Sequence, residues 1–172
     1  MRAIPLTLTA VAAALLLTAC DSGGGGSASG KSGDACEIGG VSVQVGSASV
    51  APAAGDTGEV PVSITNSSAT CTLDHFPGVT LHQDGLAPKL GPQQGAKAQK
   101  LRLAKGDSAS FTITYVRGKD GDAKALKAKS MNVTLPGTDV TENFPWRYGP
   151  IAGTSGKGEP NASVTAFQSA GD

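Results

Sequence analysis

Apolar and polar residues alternate with a period of two along most of the chain beyond residue 40. In the first such segment Val41, Val43 and Val45 are separated by Ser42 and Gln44. The alternation recurs at residues 60–64, 79–81, 101–103, 111–115, 131–135 and 164–166. Because successive side chains of a β-strand point to opposite faces, this pattern predicts a series of short strands, each with one face in a core.

The segments between these predicted strands are rich in Gly, Asp, Asn and Ser, as at residues 83–85, 105–107 and 119–122, which is typical of turns. Residues 123–129 could begin a helix, but they contain too few apolar residues for more than a turn or two. About seven to nine short strands predict an all-β fold, an antiparallel immunoglobulin-like β-sandwich. Pro61 falls inside a strand pattern, so we expect that strand to lie at an edge or to be bulged.

The first 19 residues differ from the rest of the chain. One arginine is followed by an almost wholly apolar, uncharged run, which favours an export signal over a membrane span. Residues 17–20, LTAC, resemble the bacterial lipobox. This resemblance implies that Cys20 carries a diacylglycerol thioether and becomes the mature N-terminus. A plain secretory signal with an incidental cysteine is the alternative.

Residues 20–35 follow as a Gly/Ser-rich stretch with little to bury, which predicts a flexible tether. A lipid anchor is physically credible there, because each buried methylene contributes about 0.8 kcal/mol and two or more acyl chains hold a protein stably. We therefore expect residues 36–168 to form a domain at the extracytoplasmic face of a bacterial cell membrane, anchored through Cys20.

Two cysteines remain beyond the lipobox, Cys36 and Cys71. In an exported chain such a pair predicts a disulfide, which would close a loop of about 35 residues and contribute roughly 3–4 kcal/mol in the chain-entropy model. A two-thiolate metal site is the alternative. It would need further ligands, and downstream the chain offers only His75, His82 and Met131.

Charge is balanced overall, with 14 basic and 14 acidic residues, but it is uneven along the chain. Residues 21–88 carry seven acids and one base, whereas residues 89–129 carry ten bases and three acids. The charges could simply be interspersed on a solvated surface. Alternatively, a basic face could contact anionic wall polymers or lipid headgroups through Lys97, Lys100, Arg102, Lys124, Lys127 and Lys129. We expect no nucleic-acid partner, because no aromatic residues are interleaved with these cations.

The sequence contains no pattern that indicates an enzyme. It has no Gly-x-Ser-x-Gly, both domain cysteines are assigned to each other, and the acidic residues are scattered singly in turns. Residues 120–122, DGD, lack the alternating oxygen ligands of a calcium loop. We therefore expect neither catalytic residues nor a cofactor nor a metal.

Residues 143–150, NFPWRYGP, hold three of the chain's seven aromatic residues, including the only tryptophan. Two prolines and a glycine argue against a central strand or helix, so we expect an irregular surface segment. On one interpretation Trp146 folds back as a lid over the open end of the sandwich. On the other, Trp146, Arg147 and Tyr148 bind a sugar ring or a partner's side chain, and Trp146 is at least partly exposed.

Residues 65–79, TNSSATCTLDHFPGV, resemble actinobacterial envelope proteins of the domain of unknown function 4232 family. The usual pattern there is a strand ending in Thr-Asn-x-Ser, a Thr-Cys-x-Leu, and a glycine or similar residue before an aromatic-Pro-Gly-Val. Residues 103–109, LAKGDSA, and 133–137, VTLPG, match further motifs, and the resemblance covers about residues 36–167. Two departures are visible: no cysteine pair follows Cys71, and His75 stands where a small residue is common.

The resemblance implies a fold and an extracytoplasmic location, but it implies no activity, substrate or catalytic residue. Within the matching motifs we expect Asn66 and Ser67 to cap a turn through local hydrogen bonds. We also expect Phe76 to pack in the core beside the Cys36–Cys71 bridge.

The sequence therefore favours a binding module that recognises a wall glycan or a partner protein through loops at one end of the sandwich. A structural envelope lipoprotein that contacts anionic polymers through its basic segment, residues 89–129, is the alternative. An enzyme is the least favoured hypothesis.

Overall fold

The computed structural model describes residues 34–47, 53–154 and 159–170, and within them the chain folds into an all-β domain. These residues contain eleven strands, one short 3₁₀ turn at Ile38–Gly40 and no α-helix. The predicted signal peptide, Cys20 and the predicted tether up to residue 33 lie outside the described residues.

The larger sheet has six strands. They are β1 Val41–Val45, β2 Thr57–Asn66, β5 Gly91–Pro92, β7 Ser108–Val116, β10 Ala162–Val164 and β11 Gln168–Ser169. Their order is β1-β2-β7-β10-β5, and β11 pairs with β7 beyond the end of β10. All pairs are antiparallel except β5 with β10.

The second layer contains a three-stranded sheet and a two-stranded one. The three-stranded sheet has the order β4-β8-β9, with β4 Gly78–His82, β8 Ser130–Thr134 and β9 Thr141–Pro145. The two-stranded sheet pairs β3 Cys71–Leu73 with β6 Leu101–Leu103.

Strict alternation of buried and accessible residues shows how the layers pack. On β2 the buried side chains include Val60, Val62 and Ile64, and on β7 they include Phe111 and Ile113, each at most 2% exposed. Burying an apolar side chain of this size contributes about 1.5–3 kcal/mol, so these central strands supply much of the core. The prediction of an all-β antiparallel sandwich is confirmed.

Four strands were not among the predicted segments: β3, β5, β9 and β11. β5 and β11 span only two residues, too short for a period-two pattern, whereas β3 has the same apolar–polar–apolar order as the predicted segment 101–103 and was overlooked. β9 corrects the expectation of an irregular aromatic segment, because residues 143–145 form the end of an edge strand. A proline is compatible with an edge strand when its missing N–H would point outward, and this holds for Pro145.

Pro61 lies in the middle of β2, between β1 and β7, so the expected edge position is wrong for the strand as a whole. Gly46 N donates to Pro61 O at 2.8 Å, one residue beyond the end of β1 at Val45. Because the two residues of such a pair normally exchange two hydrogen bonds, Pro61 leaves Gly46 O without its ladder donor.

Asn66 is fully buried and joins two of the family-like motifs. Its Nδ2 donates to Ala69 O and Leu103 O, both at 3.0 Å, and its Oδ1 accepts from Ser68 N. The predicted turn cap is therefore present at Asn66. Ser67 instead donates its hydroxyl to the distant Gly40 O.

Cys36 and Cys71 form the predicted disulfide, with a Cα–Cα distance of 4.9 Å. Cys36 is buried, and its N–H donates to Thr72 O in β3. The bridge thus fastens the chain segment that precedes β1 to the second layer.

The two long sides of the sandwich differ. On the side of β4 and β10, residues 88–90 run along β4, with Leu90 N donating to Val79 O, and residues 91–92 then pair with β10 of the other layer. We call this the closed side, because the backbone itself crosses between layers. On the opposite side, the open side, the edge strands are β1 and β9.

Candidate binding site

A groove of about 690 Å³ lies on the open side, between the end of β1 and the end of β9. It is lined by Gln44, Val45, Gly46, Ser47, Tyr115, Phe144, Pro145, Arg147 and Tyr148. We call it the open-side groove. Its walls come from both layers, so the fold itself fixes its width.

Trp146 does not line the open-side groove. It is 6% exposed, its ring packs edge-on against Tyr115 and Tyr148, and its Nε1 donates to Gly149 O at 2.7 Å. The expectation of a partly exposed Trp146 is therefore wrong, and the lid interpretation is the one that the structure supports. The physical reason is that Phe144 and Trp146 continue the alternation of edge strand β9, which turns the indole inward.

Tyr115 forms the floor of the groove and is almost fully buried. Its ring lies over Gly58 of the neighbouring strand, where an added Cβ would come within 2.5 Å of the ring. Its hydroxyl donates to Tyr148 O at 3.1 Å, and Arg117 Nη1 donates to the same oxygen at 3.2 Å. The glycine thus makes room for the floor, and two donors fix the Tyr148 backbone above it.

Tyr148 bridges the two layers at the groove. Its hydroxyl donates to Gly46 O at 2.8 Å. This is the carbonyl that Pro61 leaves without a ladder donor, so the side chain of Tyr148 supplies the hydrogen bond that the backbone cannot. The ring itself is half-buried and faces the groove.

The remaining groups make the groove amphipathic. Phe144, Pro145 and Val45 are apolar, and Gln44 and Ser47 add neutral polar groups. Arg147 is exposed and is the only residue among those lining the groove with a formal charge. An anionic or hydrogen-bonding ligand group would therefore be favoured at that position.

Burial raises the pKa of both tyrosines of the groove above the ordinary value. Arg117 opposes this rise at Tyr115, and Arg147 opposes it at Tyr148. Both hydroxyls are thus neutral donors at physiological pH. This is consistent with the hydrogen bonds that they make to backbone carbonyls.

Two family-like motifs meet at a second groove, of about 540 Å³, where residues 75–78 face residues 134–139. Phe76 lines it and is only half-buried, so the expectation that Phe76 packs in the core is wrong. His75 precedes it with φ of +70°. This left-handed backbone explains why a small residue suits the position, since a side chain is strained there.

Two of the basic residues of segment 89–129, Lys100 and Lys129, lie near opposite ends of β4. Lys100 lines a depression with Asp74 and His75, near the start of β4. Lys129 lies at the other end of that strand, roughly 13 Å away at about 3.3 Å per residue. Its Nζ donates to Asp84 at 2.6 Å and lowers the pKa of that carboxyl.

The two histidines also lie at opposite ends of β4. His75 is exposed and its Nδ1 lies 3.4 Å from Asp74, whereas His82 pairs with Ser130. Among the residues that the structure describes, no three His, Cys, Asp or Glu side chains come together where they could hold a metal ion.

Of the three residues predicted to bind a ligand, the structure brings Arg147 and Tyr148 to the groove and puts Trp146 behind it. Sequence reasoning missed Tyr115 and residues 44–47, which come from distant parts of the chain. A signal for the buried Trp146 was available, because Phe144, Trp146 and Tyr148 are spaced two residues apart, as on a strand.

Residues 36–168 match the family described as domain of unknown function (DUF4232), and the chain belongs to that family. No curated protein and no solved structure matches the chain. In the described part of the chain, no helix has the length and apolar character needed to cross a membrane.

Proposed function

We propose that the chain is a lipid-anchored, extracytoplasmic binding module and that the open-side groove holds its ligand. The observation that carries this proposal is the groove itself. Aromatic and apolar walls surround a few polar groups and one guanidinium, between two layers that fix their spacing. Binding sites commonly combine an apolar concave surface with a small number of placed polar groups.

The chemistry of the lining favours recognition over catalysis. Tyr115 and Tyr148 each donate to a backbone carbonyl, and Ser47 has no histidine or carboxylate beside it in the groove. Nucleophilic catalysis needs a nucleophile adjacent to an oriented base. The alternative is a structural lipoprotein that contacts anionic polymers through segment 89–129, but Lys129 of that segment is already paired with Asp84.

The membrane anchor in this proposal is Cys20. If Cys20 carries lipid, the Cys20→Ala chain will lose fatty-acid labelling and will remain unprocessed. Metabolic labelling followed by mass measurement tests this. If labelling of the variant were unchanged, Cys20 would not be the lipid anchor.

The ligand site is tested by placing a photo-crosslinking amino acid at Ser47, in the groove, in cells that produce the full chain. Ser63 is the matched control, because it is an exposed serine on the outer face of β2. We expect a discrete adduct from position 47 and none from position 63. Equal adducts from both positions, or none from position 47, would contradict the proposed site.

A further inference from the structure

Within the described residues, β1 is an edge strand whose outward backbone groups at Val43 and Val45 have no hydrogen-bond partner. Gly46 N donates to Pro61 O, and Ser67 N donates to Gly40 O, so residues 40, 42, 44 and 46 are the ones bonded to β2. In an antiparallel ladder the intervening residues point the other way. Val43 and Val45 therefore direct their N–H and C=O groups away from the sheet, while Val41 N is taken by Ile38 O.

The edge of β1 has none of the features that usually block strand pairing. Its sequence, VSVQV, has no charge, no proline and high β-propensity. The facing edge strand is different. Trp146 N donates to Lys129 O, so Pro145 occupies an outward position of β9, where it offers no donor. Next to the groove, Pro145 therefore interrupts the row of donors on β9, whereas β1 presents the N–H and C=O groups of both Val43 and Val45.

The free edge adjoins the open-side groove. Val45 belongs to both, and Arg147 is the only formal charge in the lining. An extended peptide paired with β1 would direct alternate side chains toward Phe144 and Tyr148, and an acidic group could reach Arg147. A peptide backbone satisfies the successive donors and acceptors of an edge, which a glycan does not.

We propose that the ligand of the groove is an extended, acidic peptide segment of another protein, which adds to β1 as a strand. This inference rests on the proposed function and names its partner class. The main-chain bonds to Val43 and Val45 provide affinity, and the groove with Arg147 provides selectivity.

The probe for the test is a random decapeptide display library, selected on the full-length protein in detergent micelles. We expect enriched peptides that alternate apolar residues and carry at least one Asp or Glu. Val45→Pro removes an outward N–H and should weaken their binding at least about tenfold. Thr141→Pro is the matched control, because it removes an outward N–H from the edge of β9 and should leave binding unchanged.

A second measurement does not depend on a variant that folds. Hydrogen exchange of the wild-type amides of Val43 and Val45 should slow when an enriched peptide is added, while that of Thr141 and Asn143 should not. Replacing the acidic residue of the peptide by its amide should weaken binding to the wild type, but not to Arg147→Ala.

Three outcomes would overturn the inference. Enriched peptides that bind Val45→Pro as tightly as wild type would exclude strand addition at β1. Self-association of the wild type that Val45→Pro abolishes would make a second copy of the chain the occupant. A carbohydrate adduct at position 47, without peptide enrichment, would leave the groove as the site but replace the peptide by a glycan. The absence of any adduct at position 47 would contradict the proposed function itself.

Discussion

The closed and open sides of the sandwich hold the same two layers together by different means. On the closed side, Leu90 is hydrogen-bonded to β4 of one layer and Gly91 is paired with β10 of the other. The peptide bond between these two residues therefore joins the layers. On the open side the described residues contain no such crossing strand. The layers are joined there by the Cys36–Cys71 bridge at one end of β1 and by the Tyr148–Gly46 hydrogen bond at the other.

This difference shows where a small sandwich can accept a ligand. Where a side is closed by a crossing backbone segment, the N–H and C=O groups that face this segment are already paired. A side closed by side chains leaves an edge strand with unpaired N–H and C=O groups, and it leaves a space between the layers. In this domain both lie on the open side, next to Tyr148.

The largest expected effect comes from the aromatic packing of the open side. Trp146→Ala should lower the free energy of unfolding by about 3–5 kcal/mol, because it removes a buried ring from between Tyr115 and Tyr148. Leu90→Ala, on the closed side, should cost about 2–5 kcal/mol. Denaturant unfolding of both variants compares the two sides directly.

The fluorescence of Trp146, the only tryptophan, provides an independent check. Its emission should be blue-shifted and insensitive to iodide in the folded protein. A red-shifted, quenchable tryptophan together with a Trp146→Ala variant of wild-type stability would show that side-chain packing does not hold the open side.

The disulfide should contribute almost as much to the free energy of unfolding as the Trp146 side chain. It closes a loop with a sequence separation of 35, which corresponds to roughly 3–4 kcal/mol. The double variant Cys36→Ser/Cys71→Ser should lose this stability, and alkylation of the unfolded, unreduced protein should find neither of these two thiols free. If the double variant were as stable as the wild type, the disulfide would not be one of the contacts that hold the open side together.

Tyr148→Phe should cost about 1 kcal/mol, because Gly46 O loses its donor while the ring stays in place. The sharper experiment adds Pro61→Ala to this variant, since the alanine restores an N–H opposite Gly46. Part of the lost stability should return in the double variant. Strictly additive losses would show that the tyrosine does not substitute for the missing proline donor.

Alkaline pH should lower the stability of the open side by less than any of these substitutions. The pKa values of Tyr115 and Tyr148 are raised in the folded state, so both hydroxyls ionise more readily in the unfolded chain. Their contribution to stability is complete below the unfolded value of about 10 and is lost as pH rises through the folded values. Melting temperatures measured between pH 8 and 11 should fall, and Tyr148→Phe should fall less steeply over that range.

The fold was largely predictable from alternation, because half-buried strands have a period of two that sequence shows directly. Residues 41–45 and 111–115 are strands in the structure as predicted, while of the predicted segments 131–135 and 164–166 only residues 131–134 and 164 lie in strands. β9 was missed because its sequence, TENFP, has polar residues on both faces and ends in proline. Such an edge strand is defined by its neighbour β8 more than by its own pattern.

The candidate site was only half predictable. Arg147 and Tyr148 could be found because aromatic residues beside a cation are conspicuous in a sequence. The position of Tyr115 could not, because its place at the groove depends on Gly58 in another strand and on the angle at which the layers pack. The burial of Trp146, by contrast, could have been inferred from its spacing of two residues from Phe144, as on a strand.

The Cys36–Cys71 bridge also determines how the domain would carry mechanical load. A pull applied from the N-terminal side of Cys36 reaches β3 through the contacts of residues 34 and 35 with Thr72 and through the covalent bond to Cys71. β1 and β2 lie inside the closed loop and therefore outside the load path. The chain could be stretched from that end without tension on the strand that has the free backbone edge.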